Sequence, residues 1–169
     1  KKLTVENSEL PSNNVREVYR DKSNTIWIAT EKGVATLKDS IWTTYNTENS
    51  KLPSNSVTCI NQDQKGNIWI GTNHDKGKGG LVKIDSVQNW TIFTIDNSKL
   101  PTNAICEIET HNDIVWLGLF FGGLVRIEND RWEIYNTDNS IVPHNMVYSI
   151  ATDKEGNKWI ATFGGLVYT

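Results

Sequence analysis

Short apolar stretches alternate with polar, turn-forming segments along the whole chain, and no stretch shows sustained helical periodicity. The apolar stretches are rich in Val, Ile, Thr and aromatic residues, which favour strands. Turn sequences such as Asp63-Gln64-Lys65-Gly66 separate them. In the second quarter of the chain the pattern predicts four strands, at residues 57–62, 67–72, 80–84 and 90–95. The pattern therefore predicts an all-β protein.

The same arrangement recurs four times. Leu-Pro-Ser-Asn or a close variant surrounds Pro11, Pro53, Pro101 and Pro143, which are 42, 48 and 42 residues apart. One tryptophan follows each proline at a similar distance, and a second opens the predicted fourth strand; they are Trp27, Trp69, Trp116 and Trp159, then Trp42, Trp90 and Trp132. A period near 42 with four short strands per copy predicts a β-propeller of four-stranded antiparallel blades.

Packing between blades accounts for most of the tryptophans. Each indole can fill the wedge that widens outward between two blades, although a stacking platform for sugar rings is the alternative. Apolar pairs three residues apart open each copy, and we expect the two members of a pair to serve opposite faces of their strand. These pairs are Val15/Val18, Val57/Ile60, Ile105/Ile108 and Val147/Ile150.

Residues 1–169 are interpreted as one propeller domain. Residues 1–5 match the end of a fourth strand, and the last copy reaches its third strand at residue 169. We therefore expect the N-terminal strand to complete the last blade and to close the ring. A piece cut from a longer array would show the same pattern, so that alternative stays open.

Composition and charge narrow the class of partner. The formal net charge of −3 argues against a nucleic-acid-binding protein. No run approaches 18 apolar residues, so no direct membrane insertion is expected. The residues show no metal-ligand spacing and no catalytic constellation, and we expect no cofactor and no enzyme activity. Cys59 and Cys106 are expected to be buried free thiols, with a disulfide between adjacent blades as the alternative.

Candidate binding residues lie at one end of the predicted blades. The copies differ most between their second and third strands, where the second copy inserts six residues that include His74 and Asp75. Loops held by a rigid scaffold often carry binding residues. The other aromatic candidates at this end are Phe120, Phe121, Phe163 and His144. Packing of the phenylalanines onto neighbouring blades is the alternative.

Arg16 is a separate candidate, because Thr58, Cys106 and Tyr148 occupy its position in the other copies. A lone arginine on an inner strand suits an anionic ligand, whereas a local ion pair with Glu17 or Glu107 is the alternative. The repeated Asn13, Asn55, Asn103 and Asn145 are interpreted as loop-forming residues.

The repeat resembles a known family. Residues 52–81 read Leu-Pro-Ser-Asn, then Asp-x-x-Gly-Asn-Ile-Trp-Ile-Gly-Thr and Gly-Gly-Leu, and residues 132–140 read Trp-x-x-Tyr-Asn-Thr-x-Asn-Ser. This pattern resembles the two-component regulator propeller repeat. The resemblance implies the periplasmic sensor propellers of bacterial hybrid two-component systems or related envelope propellers, with a sensing or scaffolding role. It offers no invariant ligand-binding residues to carry over.

Three functions follow from these observations. The leading hypothesis is a non-catalytic sensor or binding propeller in the periplasm or outside the cell, with an oligosaccharide or a protein as its ligand. The second is a structural or assembly module of the cell envelope that associates with itself. The third is a polysaccharide-active enzyme on a propeller scaffold, which the missing catalytic constellation disfavours.

Overall fold

A computed structural model describes residues 1–75 and 78–169, with the backbone alone for residues 74 and 75. The described residues form fifteen strands in four antiparallel sheets and no helix. Each sheet is called a blade, in chain order. The strands are β1 (Val15–Arg20), β2 (Ile26–Thr30), β3 (Gly33–Lys38), β4 (Ile41–Tyr45), β5 (Val57–Gln62), β6 (Ile68–Asp75), β7 (Lys78–Ile84), β8 (Trp90–Phe93), β9 (Ile105–His111), β10 (Ile114–Leu119), β11 (Gly123–Glu128), β12 (Arg131–Tyr135), β13 (Val147–Thr152), β14 (Lys158–Thr162) and β15 (Gly165–Tyr168). The all-β prediction is confirmed.

The predicted strands of the second copy match blade 2 closely, with two differences. β6 and β7 extend into the inserted segment, because Asp75 pairs with Lys78 across the hairpin. β8 ends at Phe93, since the Thr94 amide donates to Asn97 Oδ1 and turns the chain. Neighbouring strands follow one another within each sheet, as a meander requires.

Apolar clusters lie between successive blades. Trp27 packs with β5, β6 and β7 side chains between blades 1 and 2, and Trp69 packs with β9, β10 and β11 side chains between blades 2 and 3. Both indoles are buried, at 7% and 5% exposure, which confirms the packing interpretation for them. Trp159 in blade 4 is 42% exposed, because no described residues cover that face of the blade.

The expectation that apolar pairs serve opposite faces is wrong. Val57 and Ile60 both pack into the cluster between blades 1 and 2. The cause is a register shift in β5: Val57 lies opposite Thr72 and Cys59 lies opposite Gly71, so Thr58 is an extra residue. Such a β-bulge brings residues three apart to the same face. Equivalent shifts occur at the start of the other three inner strands.

Two repeated polar contacts shape the loops. The side-chain oxygens of Asn13, Asn55, Asn103 and Asn145 each accept a hydrogen bond from the backbone amide eight residues earlier, at 2.8–3.0 Å. This confirms their interpretation as loop formers. At the opposite end, the turn carboxylates Asp21, Asp63 and Asp153 accept hydrogen bonds from the indole N–H of Trp27, Trp69 and Trp159, at 2.9, 2.9 and 3.1 Å.

The expected completion of the last blade by residues 1–5 is not observed. These residues form no strand, and β13, β14 and β15 make a three-stranded sheet. The Val5 amide donates to Asn13 Oδ1, as Thr47 does to Asn55 just after β4, so the loop that leads into blade 1 includes Val5. Val18 in blade 1 and Leu166 in blade 4 are each 62% exposed. Closure of the ring is therefore not shown.

Candidate functional site

The connections from second to third strand and from fourth to first strand lie at the same end of the blades, because each sheet is a meander. Four aromatic side chains meet there across the boundary between blades 3 and 4. We call them the aromatic row: Phe120, Phe121, His144 and Phe163. Neighbouring ring centroids in this order are 4.6, 6.2 and 5.1 Å apart. The three phenylalanines are exposed, at 44%, 62% and 69%. They do not fill an interior space.

Backbone hydrogen bonds hold the row. The Gly123 amide of blade 3 donates to the Asn145 carbonyl of the loop entering blade 4, at 2.8 Å. The Phe163 amide donates to the Met146 carbonyl, at 3.0 Å. Gly164 allows this turn to lie against the loop, because a Cβ there would be 3.0 Å from His144 Cβ. The rings are therefore carried by connections fixed to the sheets, a suitable scaffold for binding.

Phe121 adopts a backbone conformation that phenylalanine disfavours. Its φ is 59°, in the left-handed region. The other described non-glycine residues with positive φ are Asn, Asp, Ser or Gln. Strain of this kind concentrates at functional positions. The turn keeps a bulky ring exposed where glycine would fit without strain.

His144 is oriented by its own loop. Its Nδ1 accepts a hydrogen bond from the Met146 amide at 3.0 Å. A nitrogen that accepts a backbone N–H carries no proton, so the neutral ring bears its proton on Nε2. The row therefore combines three apolar ring surfaces with one N–H donor.

Arg16, a further predicted site residue, does not join this row. The side chains of His74 and Asp75 lie outside the described part of the chain, so their predicted role stays a prediction. Arg16 Nη1 donates to Ser56 Oγ at 2.8 Å and to the Val57 carbonyl at 3.5 Å. Arg16 thus links blade 1 to blade 2. It is the bulge residue of β1. Its equivalent in β5, Thr58, makes a similar link by donating to the Ile105 carbonyl of blade 3.

A group of acidic and thiol side chains on the inner strands was not recognised from the sequence. Burial, together with the nearby Glu17 and Glu109 carboxylates, raises the pKa of Glu107 to about 7. Burial also raises the pKa of Glu17, whose carboxylate accepts the Ile60 amide. Glu17 and Glu107 occupy the same position in their copies, directly after the bulge residue. This shared position in the repeat is the sequence signal that could have predicted that the two carboxylates lie near each other. Both cysteines are free thiols, as predicted, but only Cys59 is buried, whereas Cys106 is half-buried.

The raised pKa of Glu107 makes stability depend on pH. Its folded value of about 7 lies above the unfolded value of 4.5, so the folded state binds the proton more tightly between these pH values. The stabilising contribution is full below pH 4.5 and is lost as pH rises through 7. We expect Glu107→Gln to raise the melting temperature at pH 8 and to change it little at pH 4.5. A thermal melt at both pH values measures this, with the exposed Glu48→Gln as control; equal shifts at both pH values would contradict it.

The described residues contain no helix of the length and apolarity needed to cross a membrane. Among the same residues, no group of three or more His, Cys, Asp or Glu side chains is placed to hold a metal ion.

Comparisons with known proteins agree with this architecture. The model of the two component regulator propeller family matches residues 9–32 and 51–74, which confirms the resemblance drawn from the repeat. No curated protein matches the chain. The solved extracellular domain of a hybrid two component system from B. thetaiotaomicron is similar, with a TM-score of 0.76 and 29% identity over 95% of this chain and 22% of that one.

More distant structures share the fold. The extracellular domain of a one component system from B. thetaiotaomicron has a TM-score of 0.76 at 22% identity, over 94% of this chain and 23% of that one. Virginiamycin B lyase from Staphylococcus aureus has a TM-score of 0.68 at 16% identity, over 92% of this chain and 55% of the enzyme. The chain spans about a fifth of the length of the two extracellular domains. The same fold thus occurs in extracellular domains of one component and two component systems and in a lyase.

Proposed function

We propose that this chain, built from two-component regulator propeller repeats, is a non-catalytic extracytoplasmic sensor module that binds an oligosaccharide on the aromatic row. The exposed cluster of Phe120, Phe121, His144 and Phe163 carries the proposal. The location and the sensing role rest on the similarity to the extracellular domain of a hybrid two component system. The binding role rests on the geometry of the row.

Oligosaccharides fit the chemistry of the row. Sugar rings present apolar C–H faces that pack on aromatic rings, and their hydroxyl groups accept hydrogen bonds. Rings 4.6–6.2 Å apart form a continuous apolar strip, and His144 Nε2–H supplies a donor within it. Apolar surfaces that carry a few placed polar groups are typical of binding sites.

The test is a screen of bacterial and plant oligosaccharides on an array, followed by calorimetry with the best ligand. We expect Phe121→Gly and Phe163→Ala each to weaken binding by about tenfold or more, the equivalent of about 1.4 kcal/mol. Phe121→Gly tests the role of the ring more specifically than Phe163→Ala does. Glycine adopts the local backbone conformation without strain, so the ring is lost while the melting temperature is unchanged or raised.

Val87→Ala serves as the matched control. Val87 is 74% exposed, like the phenylalanines, but it lies in the turn between β7 and β8 at the opposite end of the blades. Its substitution should leave binding unchanged. Equal affinity of the Phe121→Gly and Val87→Ala variants for the oligosaccharide would place the ligand elsewhere. If the protein bound other proteins but no oligosaccharide, the ligand would be a protein.

A further inference from the structure

A cavity lies between blades 1 and 2, at the end of the blades opposite the aromatic row. Its volume is about 680 Å³, and its lining includes Asp21, Trp27 and Thr36 of blade 1. The cavity at the equivalent place between blades 2 and 3 has a volume of about 220 Å³, and its lining includes Asp63 and Trp69. Blades 1, 2 and 3 all have four strands, so the two cavities can be compared position by position.

The first difference between the two cavities is the residue beside the tryptophan. Lys83 lies opposite Trp69 in the register of β6 and β7, and its Nζ is 5.4 Å from the centroid of the indole. Arg126 covers the equivalent indole of blade 3 at 5.9 Å. Thr36 takes this place opposite Trp27, and no Lys or Arg of the described residues lies over the Trp27 ring. Indole faces attract cations, so the cavity of blade 1 offers a ring to which the fold itself supplies no cation.

The second difference is the number of donors around the turn carboxylate. Asp63 Oδ2 accepts one hydrogen bond from Asn67 Nδ2 at 2.7 Å and one from the indole of its blade at 2.9 Å. Asp153 Oδ2 in blade 4 accepts the same pair, at 3.0 and 3.1 Å. Thr25 replaces the asparagine in blade 1, so among the described residues Asp21 Oδ2 accepts only the indole N–H, at 2.9 Å. This oxygen keeps room for one further donor.

Two carboxylates that line the cavity are ionised at neutral pH. Burial raises the pKa of Asp21, but hydrogen bonds from Trp27 and Ser23 outweigh it, so the pKa lies below its ordinary value. Asp85, in the turn between β7 and β8, lines the same cavity from blade 2. Hydrogen bonds from Asn89 lower the pKa of Asp85. The cavity therefore has negative charge from both blades.

The lysines of the lining leave this charge available. The Lys22 ammonium group donates to the Asp63 and Gln64 carbonyls of blade 2, at 2.9 and 3.3 Å. Lys38 is exposed and is followed directly by Asp39, a third carboxylate of the lining. Three carboxylates against two lysines give the lining a net charge of −1. A cationic ligand suits it better than an anion.

We propose that the cavity between blades 1 and 2 binds a linear aliphatic diamine or polyamine. One ammonium group lies over Trp27 and donates to Asp21 Oδ2, and the methylene chain lies along the apolar residues Tyr45 and Ile68 of the lining. A second ammonium group meets the Asp85 carboxylate. Two charges joined by an apolar chain fit this lining, because its carboxylates come from separate turns and its volume exceeds what one ammonium group needs.

The probe is putrescine, titrated into the 169-residue protein at low salt and followed by calorimetry and by thermal melts. We expect saturable binding and a rise in the melting temperature. Butylamine has the same chain with one ammonium group and should bind about tenfold more weakly. Butanediol has the same chain without charge and should give no measurable binding.

Two substitutions copy residues of the other blades into blade 1. Thr36→Lys supplies a cation beside Trp27, as blade 2 does, and Thr25→Asn supplies the second donor to Asp21 Oδ2. Each should leave the circular dichroism spectrum unchanged and weaken putrescine binding by about tenfold or more. If both folded variants bind putrescine as tightly as the unsubstituted protein, the proposal is overturned.

Thr91→Lys is the matched control for charge. Thr91 is exposed on β8 and lies opposite Lys83, outside the cavity of blade 1. This variant should bind putrescine within about twofold of the unsubstituted protein. Weakening equal to that of Thr36→Lys would overturn the proposal, because the effect would then be one of net charge alone. The same conclusion would follow if the folded protein showed no saturable putrescine binding, or if it bound butanediol equally well.

Discussion

Trp69→Ala should destabilise the protein by about 3–5 kcal/mol, the range for removing a large aromatic side chain from a core. Trp69 is 5% exposed and packs in the cluster between blades 2 and 3. Its indole N–H donates to the buried Asp63 carboxylate at 2.9 Å. The substitution therefore opens a cavity between two blades and removes a donor from a buried acceptor. Urea unfolding followed by circular dichroism measures the change in free energy.

Trp159→Ala is the matched control. Trp159 holds the same position in blade 4 and makes the same hydrogen bond, to Asp153 at 3.1 Å. Its ring is 42% exposed and contacts Tyr168 of its own blade at 4.5 Å. We expect a cost of about 1–2 kcal/mol, since less apolar area returns to water. A cost equal to that of Trp69→Ala would mean that the outer face of blade 4 is covered in solution.

The repeated tryptophans explain why the fold was predictable. A residue that must fill the space between two sheets recurs at the same position in every copy. Its spacing along the sequence therefore predicts repeated sheets that pack on one another. The bulges at Thr58 and at the equivalent positions gave no such signal. One extra residue in a strand changes which face its neighbours occupy without changing composition, and only the register with the second strand reveals it.

The aromatic row was predictable in its members but not in its geometry. Topology alone places the connections that carry Phe121, His144 and Phe163 at one end of adjacent blades. The positive φ of Phe121 and the bond from the Met146 amide to His144 depend on how each loop closes on its blade. The expected strand at residues 1–5 did not form. The bond between Val5 and Asn13 does not explain this, because equivalent bonds directly follow the fourth strands β4, β8 and β12.

Gly33→Ala should destabilise the protein by about 2 kcal/mol or more beyond the cost of Gly165→Ala. Both glycines follow the second strand of their blade and have nearly the same backbone, with φ at +123° and +130°. The strain of alanine in this conformation, about 1–3 kcal/mol, is therefore shared by the two variants. The added Cβ at position 33 would lie 2.3 Å from the Tyr45 carbonyl, so β3 and β4 must separate.

At position 165 no atom lies within 4 Å of the added Cβ, so the strain is the whole cost there. The difference between the two variants, measured by urea unfolding, isolates the contact of the fourth strand with its glycine. Equal costs for the two substitutions would contradict the close contact between Gly33 and the Tyr45 carbonyl of β4.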